Sequence, residues 1–145
     1  MLCIADANVL LPLLTAGHSH HAAAFEWWDL CGDGDVGLSL PVHMALLRLL
    51  SNTKVMGSSV LRPAVAWKTV QSLIDDPRIE LLDEVPPAHR ALWYANVAKR
   101  EPSPYLWTDA WLAALAQAHD CEMTTFDRGF RSFSKLKLRL LELAS

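Results

Sequence analysis

The amino-acid sequence predicts an α/β fold in which a mostly parallel sheet carries helices on both faces. Three observations carry this expectation. Short apolar runs alternate with longer stretches of helical period from one end of the chain to the other. Two of those runs stop at an aspartate, Asp6 and Asp127, as strands do where they enter a loop at a sheet edge. With 145 residues, 52% hydrophobic and 20% charged, the chain can bury one real core, which predicts a single domain over residues 1–145.

Residues 1–5 read as a short buried strand. A helical pattern follows from Ala7 to about Leu14, expected to break near Pro12 and Gly17. The stretch HSHHAAAFEWWDLC reads as a helix with Ala22, Phe25, Trp28 and Leu30 on its inner side, and CGDGD as a turn. VGLSL is a second strand. PVHMALLRLLSN is a helix whose first turn takes the proline, where a missing N–H costs little. MGSS is a loop, and RPAVAWKTVQSLIDD repeats apolar residues at Val65, Val70, Leu73 and Ile74 with helical period. RIELLDE is a third strand, and PPAHRALWYANVAKR a helix started by prolines. EPSPYLW reads as a loop before TDAWLAALAQAHD, a helix capped by Thr108 and filled with strong helix formers. CEMTTF is a fourth strand, ended by Asp127, and KLKLRLLEL offers a short alternating strand.

Composition narrows the function. No apolar run approaches the ~18 residues of a membrane span, and the start lacks the basic segment of a signal peptide. Three widely spaced cysteines, Cys3, Cys31 and Cys121, form no zinc motif and fit a reduced, cytoplasmic protein. A net charge of −3 excludes a chain that coats nucleic acid by overall charge.

Asp6 ends a strand, Asp127 ends another, and Asp109 opens a helix. In an open parallel sheet these positions share one edge, where such folds place their sites. Taken singly, each aspartate reads as a cap or a turn residue. Together they would repel by several kcal/mol at ~4 Å in a partly desolvated cleft unless a proton or cation sat among them. Oxygen donors at that charge suit Mg²⁺ or Mn²⁺. With these three set aside, the remaining acids balance the 13 basic residues.

IADANVLL, LPVHMALLRLLSN and TDAWLAALAQAHDCEMTTFDRGF resemble, in order, the successive blocks of the PIN-domain ribonucleases, in particular the VapC-type toxins of bacterial toxin–antitoxin pairs. The resemblance implies a compact α/β/α sandwich and a metal-dependent endoribonuclease, usually dimeric and neutralised by a small cognate antitoxin. It implies an acidic site of Asp6, Asp109 and Asp127, with Asn8 and Thr125 beside it. One position departs. The family's usual glutamate in the helix after the second strand aligns with His43, counting back from Arg48. Histidine brings no negative charge at neutral pH and is a poor Mg²⁺ ligand. His43 is then a functional substitute or the mark of an impaired nuclease, a PIN-like module that binds RNA or antitoxin; a register shifted by one leaves Met44 or Ala45 there.

RNA contacts need cations near the same edge. Arg48, Arg128 and Arg131 lie close in sequence to the site blocks, and Lys54 and Arg62 flank MGSS. Trp107, just before Asp109, is the tryptophan placed to stack on a base. His18, His20 and His21 lack the spacing of a helical metal pair; His20 or His21 stands near the site only by the resemblance. Other chemistries fit less well. A haloacid-dehalogenase-like phosphatase wants a second Asp where Asn8 stands. A receiver domain wants paired acids before the first strand's aspartate. A nucleotide-binding domain wants a Gly-rich loop, and DANVLLPLL has no glycine.

Overall fold

The computed structural model describes residues 1–143. Five strands form one fully parallel sheet: β1 (Cys3–Ala5), β2 (Val36–Ser39), β3 (Ile79–Leu82), β4 (Glu122–Thr125) and β5 (Leu138–Leu140), in the order β3-β2-β1-β4-β5. All five expected strands are therefore present, and the architecture is the expected α/β sandwich. β1 is central and buried among neighbours, which is why CIA carries no alternation of polar and apolar residues.

The connections are α1 (Ala7–Leu14), α2 (His21–Asp29), α3 (Leu40–Leu50), α4 (Thr53–Met56), α5 (Pro63–Ile74), α6 (His89–Val97) and α7 (Leu106–His119), with single 3₁₀ turns at Gly57–Ser59 and Arg128–Ser132. α1, α2, α3 and α5 pack in succession, while α6 pairs with α7. Right-handed crossovers from β1 outward to β3, and then back to β4 and β5, put these two groups on opposite faces of the sheet. The core lies between, led by Ile4, Leu10, Leu38, Leu46, Leu115 and Met123, all fully buried.

Close packing of the inner strands depends on one glycine. A Cβ at Gly37 in β2 would stand 3.1 Å from the Cys3 carbonyl oxygen of β1 and 2.9 Å from a Leu82 methyl of β3. Any side chain there would wedge β2 away from β1.

Several local expectations are corrected. α1 runs through Pro12. The proline forfeits only the bond to the Asn8 carbonyl, and the apolar face around it, Val9 to Pro12, is buried. α2 turns Ala23, Ala24, Trp27 and Trp28 inward, whereas Ala22 and Leu30 face solvent. α5 buries Ala66, Val70 and Leu73 and leaves Val65 exposed. α7 begins at Leu106, so Thr108 is not its cap and Asp109 lies inside its first turn. No helix among the described residues is long and apolar enough to cross a membrane.

Candidate active site

Strand order reverses between β1 and β4: from β1 the chain moves outward to β2 and β3, from β4 outward to β5. A crevice opens at the carboxyl ends of strands where the order reverses in this way. Asp6 follows β1 directly, and Asp127 follows β4 by two residues. α7 packs on both β1 and β4 and runs back into β4, so its first turn, with Asp109, stands over the same edge.

Asp6 is held by its local chemistry. It is the N-cap of α1, its Oδ1 accepting the Ala7 N–H at 2.7 Å. Its Oδ2 accepts the Thr125 hydroxyl at 2.8 Å. Thr125 is fully buried at the end of β4, and its oxygen also accepts Asn8 Nδ2 at 3.0 Å and the Asp127 N–H at 3.0 Å. One donor and two acceptor positions exhaust a hydroxyl's capacity, and Thr125 uses all three, with Asn8 Oδ1 at 3.3 Å a second, longer acceptor for its proton. Asn8 Oδ1 then accepts the Phe126 N–H at 3.2 Å. Asp127 in turn caps the 3₁₀ turn, its Oδ1 taking the Gly129 N–H at 2.7 Å. The DxN of the first block and the TxD of the last are thus one hydrogen-bonded unit across β1 and β4.

The electrostatics tie in Asp109. Burial, then the negative charges of Asp6 and Asp127, push its carboxyl up to about 6. Asp6 is also raised, chiefly by burial; the Thr125 hydroxyl and the Ala7 N–H oppose this, and the Asp127 charge adds to it. Among the described residues no lysine or arginine pairs with any of the three. Negative charge therefore accumulates here without a protein counter-ion, which is where a divalent cation is favoured. The donors are all oxygen, as Mg²⁺ and Mn²⁺ prefer. Among the described residues no three His, Cys, Asp or Glu side chains close around one point. Mg²⁺ does not require that, because it keeps much of its water and takes one or two carboxylates. The residues fit such an ion.

The sequence-selected residues separate here. Asp6, Asn8, Thr125 and Asp127 are joined by hydrogen bonds, and Asp109 is joined to them by charge. His43 lies in the opening turn of α3, with its ring 6.0 Å from the Trp67 ring of α5. Arg48, Arg128, Arg131, Lys54 and Arg62 are all exposed. Trp107 is 60% exposed but sits two positions before Asp109 on a helix, on roughly the opposite face.

Residues 3–136 match the family described as the PIN domain. The chain belongs to the PIN-domain family. Ribonuclease VapC41 of Mycobacterium tuberculosis is 36% identical to it over 97% of this chain and 98% of its own length. Among solved structures, VapBC2 of Rickettsia felis bound to a DNA fragment from its promoter superposes with a TM-score of 0.69 at 12% identity, covering 98% of this chain and 100% of that one. VapC20 of Mycobacterium tuberculosis, described as a sarcin–ricin loop cleaving toxin, gives 0.59 at 18% identity, covering 93% and 98%. At such identities the structures establish the fold. The PIN domain here is thus of the VapC type.

His20 and His21, one of which the resemblance sets near the acidic site of this PIN domain, make contacts that the sequence does not show. His20 stacks on Phe126, ring centroids 4.0 Å apart and planes 15° apart, beside Asp127. His21 Nδ1 donates to the Pro12 carbonyl at 2.7 Å, satisfying an orphan acceptor at the end of α1. Helical period hints at neither contact, since both are made between elements. The stack pins Phe126, and with it the backbone between Thr125 and Asp127. His20→Ala should lower the unfolding free energy by about 1 kcal/mol, read in urea titrations, and His20→Phe should restore most of it. Equal loss in both variants would show that stacking is not what His20 contributes.

Proposed function

We propose that this chain is a divalent-metal-dependent endoribonuclease, the toxin of a toxin–antitoxin pair, hydrolysing RNA phosphodiester bonds at Asp6, Asp109 and Asp127. The observation that carries the reading is Asp109. Its carboxyl is pushed up to about 6 beside Asp6, which Thr125 holds from β4, and among the described residues no basic side chain pairs with either. The name of the 36% identical relative, a ribonuclease, supplies the class of reaction.

Asp6 and Asp109 would hold Mg²⁺ or Mn²⁺, with Asp127 completing the site. Such an ion supplies Lewis-acid polarisation of a phosphodiester and a lowered pKa for water. The chain's own contribution is orientation. Thr125 and the Ala7 N–H fix both oxygens of Asp6, and Asn8 fixes the Thr125–Phe126 backbone. Exposed Arg48, Arg128 and Trp107 are the candidates for contact with the RNA, as point charges and a stacking surface. A small cognate antitoxin as partner is supported by the VapBC structures that share the fold. A homodimer and a cytoplasmic location, with Cys3, Cys31 and Cys121 all free, complete the reading.

The test uses purified protein freed of any partner. RNA is cut with Mg²⁺ or Mn²⁺, cutting stops in EDTA, and either ion restores it. Cutting at an equal rate in EDTA would overturn the mechanism.

A second reading, a catalytically impaired module that binds RNA or antitoxin, is favoured by one observation. Where the family's glutamate stands, His43 brings no negative charge and lies against Trp67. His43→Glu should tighten Mn²⁺ binding about tenfold, since a carboxylate added near the site contributes roughly 1–2 kcal/mol at intermediate dielectric. An unchanged calorimetric isotherm would mean that position 43 does not face the ion.

A further inference from the structure

The first turn of α7 carries more than Asp109. Tyr105, its N-cap residue, lies one helical turn before Asp109 on the same side, its carbonyl accepting the Asp109 N–H at 3.0 Å. Tyr105 is 75% exposed. Around the helix, Trp107 and Tyr94 of α6, 60% and 71% exposed, face two adjoining hollows of about 670 and 570 Å³. The hairpin that shapes them is locked: Trp93 Nε1 donates to the Trp107 carbonyl at 3.0 Å, and Asn96 Nδ2 to that of Ala110 at 3.1 Å. Three large aromatic faces are thus held open to water at the end of the helix that bears Asp109.

The charge around them is one-sided. Arg90 lines the first hollow and Arg100 the second, and neither hollow is lined by an acid. Arg100 is anchored over the Phe133 ring at 4.7 Å and donates to Ser132 Oγ at 2.8 Å, so its charge is fixed in place without being neutralised. In a chain of net charge −3 this is a local positive, aromatic track. A second copy of the chain is the poorer occupant. A two-fold contact sets a patch against itself, and the arginines of both copies would then gather in one seam whose lining holds no acid to receive them.

We propose that Tyr94, Tyr105 and Trp107, with Arg90, form a stacking platform for a single-stranded stretch of RNA that leaves the acidic site over Tyr105 and passes round the start of α7 to Trp107 and Tyr94. The proposal rests on the endoribonuclease reading. Bases in a duplex keep their faces stacked on one another, whereas an unpaired strand offers them to aromatic side chains. Arg90 meets its phosphates.

The experiment measures anisotropy of a fluorescein-labelled 12-mer RNA in EDTA, alone and annealed to its complement, alongside a cleavage assay with Mg²⁺. The single strand should bind more tightly than the duplex. Tyr94→Ala and Trp107→Ala should each weaken binding about tenfold, and Tyr94→Phe should keep it. Arg90→Gln should reduce the salt slope of log affinity by about 0.7. Wild-type affinity in both alanine variants, with helical circular dichroism retained, overturns the platform. So does a shift from dimer to monomer in those variants with RNA affinity intact, which would assign the face to a second copy. A wild-type protein that cuts RNA while the variants bind normally sinks the platform alone. A wild-type protein that neither binds nor cuts RNA sinks the endoribonuclease reading with it.

Discussion

Asp6→Asn should abolish RNA cleavage while leaving the protein folded and more stable. The two readouts move in opposite directions for one physical reason. Asparagine keeps the N-cap bond to the Ala7 N–H, because a side-chain amide oxygen caps a helix as well as a carboxylate does. Its amide nitrogen replaces the oxygen that accepted the Thr125 hydroxyl, and that hydroxyl turns instead to Asn8 Oδ1, 3.3 Å away. What it removes is a negative charge that burial and Asp127 both disfavour. Folding gains from that loss. Catalysis loses the charge that makes the crevice a cation site, an effect of several kcal/mol or roughly three decades in rate. Single-turnover cleavage with saturating Mg²⁺ and a urea melt of the same preparation check both halves. A folded variant that cuts like wild type would remove Asp6 from the proposed chemistry, and an unfolded one would refute the stability half.

The parts of this arrangement legible in the sequence are those set by local pattern. The inner strands β1 and β2 announce themselves as apolar runs, because parallel strands covered on both faces need no polar alternation, whereas the edge strand β5 shows itself by alternation around exposed Arg139. Asp6 and Asp127 stand out because each ends such a run. Their convergence follows from topology, since β1 and β4 are adjacent where the order reverses. What was not legible depends on contacts between elements. Pro102 and Pro104 suggest a loop as far as Trp107, yet α7 starts at Leu106 with no side-chain cap to signal it. That shift hides the shared face of Tyr105 and Asp109. Trp27 is buried in α2 beside Trp28, on a face set by Ala23 and Ala24 and not by Ala22 and Phe25, and Arg78 stacks over Trp28 at 4.5 Å from a different element. The surroundings of His43 are set by Trp67, twenty-four positions later, and those of His20 by Phe126, more than a hundred positions away.

Asp109 gives the second large effect, on the pH dependence of both stability and metal binding. Its carboxyl titrates near 6 in the folded protein against an ordinary value of 3.8. Between those two values the folded chain holds a proton that the unfolded chain has released. Stability therefore falls as pH rises through that window, and the cost is fully present above about 6. Because Asp109 is only half-buried, solvent screening reduces that cost to the order of 1–2 kcal/mol at pH 7. Asp109→Asn should raise the melting temperature at pH 7 and flatten the slope between pH 4 and 6. Divalent metal acts on the same charge with the opposite sign. Mg²⁺ binds the ionised form, so its stabilising effect should be strong at pH 7.5, fade as protons compete below about pH 6, and be largely lost in Asp109→Asn. Calorimetric melts across pH 4.5–7.5, with and without Mg²⁺, give both curves. If Mg²⁺ shifted wild type and Asp109→Asn equally at pH 7.5, the ion would be binding elsewhere. The coupling of Asp6, Asp109 and Asp127 would then be a feature of folding alone.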